Sequence, residues 1–324
     1  MGHVQKVKIL SDNFTHTAAS ALKNGHLVAF PTETVYGLGG DAQNPNSVSE
    51  IYRVKARPTN NPLIVHISSI QYLDEWAQNV PSYARKLATE LWPGPITLVF
   101  NKTKLAKDFI TGNQSSVALR IPSNNIALEI LREFEKLGSS GVAAPSANRY
   151  GTLSPTDANS VFIFLGQFLN EFDLIIDGGA CQEGIESTIV DCTSEIPRIL
   201  RPGPVSKVMI EEIGGVEVDK SFKKNLIKVP GQGSAHYAPK AKLYLTGRPN
   251  SGDGFLALES IPTPLGAIRI GSPKSSKEFA QTLYKALFMA DKEGIKKVYV
   301  VPSTGDELSI AILDRLKKAA HKKT

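Results

Sequence analysis

Apolar residues in this chain come in short runs that stop at proline or glycine. Residues 27–30 (LVAF), 63–67, 96–100, 117–121, 141–144, 173–177, 187–191 and 199–200 each read as a buried strand bounded by turn signals. Between them, apolar residues at helical spacing predict helices over residues 15–24, 81–91, 125–136 and 154–168. One more helix has an explicit start. Asn44 caps it, Pro45 takes the first helical position, and Val48, Ile51, Tyr52 and Val54 form its apolar face. It ends in Lys55-Ala56-Arg57-Pro58, because proline disfavours a helical conformation in the residue before it. From about residue 210 to 229 the pattern fades and lysines accumulate, which reads as a linker. Strands at 243–245, 265–270 and 298–301 alternate with helices at 276–292 and 307–320, predicting a small parallel-sheet domain.

The strand ends carry the candidate chemistry. The strand at 27–30 stops at Pro31 and displays Thr32, Glu33 and Thr34, and the strand at 141–144 stops at Pro145 and displays Ser146 and Asn148. The run 199–200 leads into Arg201-Pro202-Gly203-Pro204. Polar groups at the ends of buried strands collect ligands in α/β proteins, so the recurrence points to one shared cleft. Gly37, Gly39 and Gly40 would let the backbone come close to a ligand, or form only a turn. Lys55 and Arg57 are delivered together at a helix end, and His66 interrupts an apolar strand. Arg120 stands inside the apolar run VALRI and must meet a carboxylate, either the protein's or a ligand's. Singly these are turn glycines, solvated cations and a core histidine; together they fit a site for a phosphorylated or carboxylate-bearing small molecule.

Length and composition narrow the class. A chain of 324 residues is expected to hold two domains with cores that need no staples. Cys181 and Cys192 have no metal or redox spacing, which suits a reducing compartment. No charged leader and no membrane-length apolar run is evident, so the expectation is a soluble, cytoplasmic protein. The net charge of +6 gathers in Lys220, Lys223, Lys224 and Lys228 and in Arg315, Lys317, Lys318, Lys322 and Lys323, which read as solvated faces. A nucleic-acid-binding module is the competing class, with weak RNA binding its signature, but the basic runs are not interleaved with the aromatic residues a stacking platform needs. No Ser-His-Asp or Cys-His arrangement supports a covalent nucleophile.

The runs FPTETVYGLG, KARPTNNPLIVHI, LWPGPITLVF, VALRIP, AAPSAN, ESTIVD and ILRPGP, with a PG followed by HYAP, resemble the threonylcarbamoyl-AMP synthases in their long form over about residues 10–240. The resemblance implies an α/β fold: a YrdC-like catalytic domain built on a twisted mixed sheet (residues 1–210), a linker and lid loop over the active site (211–240) and a small Rossmann-like α/β domain (241–324). It implies that L-threonine, bicarbonate and ATP, the last carrying Mg²⁺ with no metal ligand from the protein, give L-threonylcarbamoyl-AMP and pyrophosphate. The product would serve a downstream tRNA threonylcarbamoyl transferase acting on the adenosine beside the anticodon in tRNAs that read codons beginning with A. Carried over by position, Lys55 and Arg57 are the catalytic cations. They hold ATP together with Asn61, Ser116, Ser146, Ser154, Arg201 and Ser234, while Thr32, His66, Arg120, Ala144 and Ser187 line the L-threonine pocket. His236 and Tyr237 belong to the lid, in which Gln232-Gly233-Ser234-Ala235 departs from the bulkier, more basic residues usual there.

Overall fold

A computed structural model describes residues 7–219, 227–233 and 236–321. Ser234 and the lysines at 220, 223, 224, 322 and 323 lie outside the described residues. The first part of the chain forms the strands β1 (Lys8–Leu10), β2 (Val28–Phe30), β3 (Gly37–Asp41), β4 (Ile64–His66), β5 (Ala77–Gln78), β6 (Ile96–Lys102), β7 (Ser116–Arg120), β8 (Val142–Ala143), β9 (Leu174–Ile176), β10 (Thr188–Asp191) and β11 (Arg198–Arg201). They make one mixed sheet in the order β1-β9-β2-β3-β8-β4-β7-β6-β10-β11, with β5 paired to β6. Pairings β1–β9, β9–β2, β4–β7 and β6–β10 are parallel and the others antiparallel. Its helices are α1 (Thr15–Lys23), α2 (Pro45–Lys55), α3 (Leu73–Trp76), α4 (Ser82–Leu91), α5 (Asp108–Thr111), α6 (Asn125–Lys136), α7 (Ala158–Leu165) and α8 (Lys207–Gly214).

The period-2 alternation of the strands divides the core. Val28 and Phe30 pack with Leu22, Ile130 and Phe134 of α1 and α6. Leu27 and Ala29 belong to the other cluster, with Val48, Ile51 and Val54 of α2 and Leu87 of α4. With both faces covered, short strands that are apolar throughout are the expected sequence signal. The start of α2 is as its residues predict: Asn44 Oδ1 accepts from the N–H of Asn46, and Pro45 opens the helix.

Two expectations are corrected. The glycines 37–40 form β3 rather than a turn. A Cβ on Gly39 would sit 2.6 Å from Cε1 of Phe30 and 2.8 Å from Cγ1 of Val142, so the glycine is there for sheet-to-core packing. The supposed linker begins as α8, whose Ser206 cap accepts from the N–H of Met209 and which ends at Gly215 in the left-handed region (φ 67°). Eight residues were too few for periodicity to register.

The second sheet comprises β12 (Lys242–Tyr244), β13 (Gly254–Leu256), β14 (Ile268–Gly271) and β15 (Lys297–Val300), all parallel in the order β12-β15-β13-β14. The long helices α9 (Ser276–Lys292) and α10 (Glu307–Ala320) cover it. Strand β13 escapes the sequence pattern because only three residues pair, one of them glycine. No helix among the described residues is long and apolar enough to cross a membrane.

The packing at Gly39 is directly testable. Gly39→Ala overpacks a site enclosed by fully buried side chains and is expected to lower stability by about 1–3 kcal/mol in urea denaturation. An unchanged midpoint would show that β3 can shift to admit the methyl group.

Candidate active site

The strand ends converge on one small cavity of about 50 Å³, lined among others by Thr32, Thr34, Gly37, Lys55, Arg57, His66, Arg120, Ala144, Ser146, Ser187 and Arg201. A second chamber of about 220 Å³ adjoins it, sharing Arg57, Tyr150, Pro230 and Gly231 and adding Asn61, Lys228, Gln232 and Gly233. Pro230, Gly231, His236 and Tyr237 border the first chamber, and residues 230–233 border the second.

Lys55 is the last residue of α2, and Ala56 turns the chain through the left-handed region (φ 47°) so that Arg57 also enters the cleft. Their burial is nearly complete, yet their acceptors are neutral. Lys55 Nζ donates to the carbonyls of Ser146 and of Asn148, the latter at 2.5 Å. Arg57 donates to the carbonyl of Pro62 at 2.8 Å and that of Asn61 at 3.3 Å. Arg201, at the end of β11, donates to the carbonyl and Oγ of Ser187, both at 3.0 Å, and to the carbonyl of Pro230 at 3.1 Å. Burial, then mutual repulsion with neighbouring guanidinium groups, pushes the Lys55 pKa well below the ordinary lysine value; burial likewise lowers Arg57 and Arg201. Three cations therefore face one cavity with no carboxylate bound to any of them among the described residues, a state that an anionic ligand relieves.

Arg120 differs. Its Nη2 lies 2.7 Å from Oε1 of Glu33 and 2.9 Å from Oγ1 of Thr34, so the carboxylate its burial demands comes from the protein, while its Nε has no partner. In the parallel register of β4 and β7, His66 sits beside Arg120. Burial, reinforced by the Arg120 charge, drives the His66 pKa down to about 3; the ring is neutral and its Nδ1 unpartnered. Thr32 Oγ1 donates to the Val35 carbonyl at 2.7 Å and lies 2.9 Å from Thr34 Oγ1.

From the loop, His236 and Tyr237 both line the inner cavity. His236 is held down to about 3 by burial, and neither its Nδ1 nor the Tyr237 hydroxyl has a partner. Tyr237 occupies the left-handed region (φ 60°), an uncommon place for an aromatic residue. Gly231 (φ 83°) approaches so closely that a Cβ there would stand 2.2 Å from the Tyr237 hydroxyl oxygen.

Most of the residues carried over by position meet in these chambers: Thr32, Lys55, Arg57, His66, Arg120, Ala144, Ser146, Ser187, Arg201, His236 and Tyr237 in the inner one and Asn61 in the outer. Ser116 and Ser154 line neither; Ser116 is buried in β7 and the Ser154 hydroxyl donates to Oε1 of Glu186 at 2.6 Å. Sequence reasoning did not single out Glu186, Tyr150 or Pro230 as lining residues. Glu186 left a usable signal, an acid wedged beside Ser187 at the start of a buried strand. Arg315, read as part of a solvated tail, is in fact fully buried and bonded to Glu186 at 2.8 Å. Both cysteines are buried and free, and among the described residues no three His, Cys, Asp or Glu side chains cluster as metal ligands.

Residues 20–203 match the Sua5–YciO–YrdC family, described as telomere recombination, and residues 205–321 match the threonylcarbamoyl-AMP synthase C-terminal domain. A threonylcarbamoyl-AMP synthase of Pyrococcus abyssi is 36% identical over 94% of this chain and 93% of its own, and one of Bacillus subtilis is 36% identical over 94% and 92%. The crystal structure of P. abyssi Sua5 complexed with L-threonine superposes with a TM-score of 0.85 at 33% identity, covering 97% of both chains. Matched along nearly its whole length in sequence and in fold, the chain belongs to the threonylcarbamoyl-AMP synthase family of enzymes, in its long, two-domain form.

Proposed function

We propose that this enzyme is a nucleotidyltransferase that converts L-threonine, bicarbonate and ATP to L-threonylcarbamoyl-AMP and pyrophosphate, for threonylcarbamoylation of the adenosine beside the anticodon in tRNAs reading codons that begin with A. The observation that carries this reading is the set of buried cations Lys55, Arg57 and Arg201, bonded only to neutral oxygens around one cavity. A triphosphate supplies the negative charge they lack. The unpartnered Arg120 Nε and His66 Nδ1 offer polar contacts to an amino acid in the inner chamber, beside the hydroxyl of Thr32.

In the reaction, the threonine amine forms a bond to the bicarbonate carbon with loss of water, giving a carbamate. A carbamate oxygen then attacks the α-phosphorus, the bond to the β-phosphate breaks, and pyrophosphate leaves. No side chain forms a covalent intermediate, so the rate rests on positioning and on stabilising the charge of the phosphates. Among the described residues the one lining carboxylate, Glu186, is already paired with Arg315, and Glu33 behind the wall lies against Arg120, so the donor set fits Mg²⁺ arriving on phosphate oxygens. When bound in that way, Mg²⁺ would offset negative charge on the phosphates.

Neither chamber reaches the ~300–1,000 Å³ usual for a ligand of nucleotide size, so ATP requires the lining residues 230–233 and 236–237 to move outward and close again. Closure would shield a hydrolysable mixed anhydride from water. The product then passes to a separate tRNA-modifying transferase.

Pyrophosphate release by the purified protein with ATP and Mg²⁺ tests the proposal. Release is expected to depend on both L-threonine and bicarbonate and to be weak with L-serine; release indifferent to threonine would overturn it. Arg57→Ala and Lys55→Ala are each expected to lower kcat/KM by about 10²–10³-fold, and near wild-type turnover in either variant would remove that residue from the machinery.

The neutral histidines set a pH dependence. An ordinary histidine titrates at 6.5, whereas His66 and His236 remain unprotonated in the folded protein down to about 3. Below pH 6.5 the unfolded chain takes up protons that the folded one refuses. Stability is therefore expected to fall as pH drops, by up to about 1.4 kcal/mol per pH unit for each histidine. Glu186, held down to about 2, adds a further loss below its ordinary 4.5. Urea denaturation between pH 7.5 and 5 is expected to show this slope, reduced in His66→Leu; equal slopes in the two proteins would contradict a buried neutral His66.

A further inference from the structure

Among the described residues, none from 241 onward lines either chamber, yet the two long helices of that part reach the groups that shape them. Arg315 of α10 is fully buried, and its Nε donates to Oε2 of Glu186 at 2.8 Å while Nη2 donates to the Glu186 carbonyl at 3.3 Å. Its guanidinium carbon lies 5.3 Å from the centre of the Tyr237 ring. Tyr284 of α9 donates its hydroxyl to the same carboxylate, 3.0 and 3.2 Å from the two oxygens, and its ring stacks on Tyr237 at 5.9 Å. The N–H of His236 donates to the carbonyl of Lys318, one turn along α10.

Glu186 matters because of its neighbours. It lines the inner cavity and directly precedes Ser187, whose carbonyl and hydroxyl hold Arg201. The Arg201 charge already acts on the Glu186 carboxylate. A buried carboxylate deprived of Arg315 has Arg201 as its remaining nearby counter-charge, and pairing the two would neutralise a cation that the phosphates need.

We propose that Arg315 is a positioning residue of the active site: it occupies Glu186, leaving Arg201 free for phosphate, and with Tyr284 and the Lys318 carbonyl it seats the His236-Tyr237 lid. The C-terminal domain thereby sets both the charge and the closure of a site it does not line. This inference rests on the nucleotide-binding reading above.

A charge-rescue experiment tests it. ATP affinity by calorimetry, and KM and kcat for pyrophosphate release, are compared among the wild type, Arg315→Met and the double variant Arg315→Met/Glu186→Gln. Arg315→Met is expected to weaken ATP binding 10- to 100-fold, and removing the Glu186 charge in that background is expected to recover most of the loss. A role confined to holding the domains together predicts instead that the double variant is no better than the single one, and that result overturns the proposal, as does wild-type ATP affinity in folded Arg315→Met. Hydrogen exchange at residues 236–241 in the ligand-free proteins reads the lid alone: faster exchange is expected in Arg315→Met, and unchanged protection overturns the seating role. If Arg315→Met does not fold, Tyr284→Phe, which removes one donor from Glu186, is expected to weaken ATP binding about threefold, and no change in that variant overturns the clamp. A wild type that binds ATP but releases no pyrophosphate defeats the synthase reaction while leaving the affinity comparison decisive for Arg315.

Discussion

Positive charge held away from water without a bound carboxylate is the constraint on which the rest of this structure depends. Among the described residues, the hydrogen bonds of Lys55, Arg57 and Arg201 go to carbonyl and hydroxyl oxygens. Such an arrangement is unfavourable in isolation, so the scaffold must hold it from several sides. The left-handed turn at Ala56, the end of β8 presenting the Ser146 carbonyl, and the start of β10 presenting Ser187 each fix one wall. A helix end and two strand ends, far apart in sequence, thus act as a single rigid receptor for an anion.

Arg120, which lines the same cavity, forms a useful contrast through its contact with Glu33. There a protein carboxylate satisfies the cation, and the pair is buried on both sides. The ion pair turns that corner from an anion trap into a polar wall, whose atoms without a hydrogen-bond partner include the Arg120 Nε and Nδ1 of the neutral His66 next to it. One cavity therefore offers two kinds of recognition, strong positive charge from Lys55, Arg57 and Arg201 and directional hydrogen bonding at Arg120 and His66. That division matches a substrate set made of a polyanion and an amino acid.

The loop itself has little core of its own. Tyr237 belongs to the hydrophobic cluster of the C-terminal domain, with Tyr284, Leu283 and Leu316, while also lining the cavity of the first domain. Its left-handed backbone is maintained by packing on both sides, which is the usual condition for such a conformation to persist. The close approach of Gly231 to the Tyr237 hydroxyl closes the loop on itself, and any side chain at 231 would prevent it.

The sequence by itself determined the short buried strands, the capped helix α2 and the polar residues at strand ends, because these follow from local rules: apolar runs, proline and glycine stops, and an Asn-Pro cap. It also announced that Arg120 needs a carboxylate, since burial of a guanidinium is legible in its apolar neighbours. Which carboxylate answers was decided only by tertiary structure, which brings Glu33 across from another strand end. The same holds for β3, whose glycines look like a turn until Phe30 and Val142 are seen filling the space a side chain would take. Arg315 is the plainest case. In a lysine-rich helix it reads as one more solvated charge, and only the packing of α10 against Glu186 and Tyr237 reveals a buried ion pair, because a charge's partner is a fact about three-dimensional proximity that no local pattern encodes.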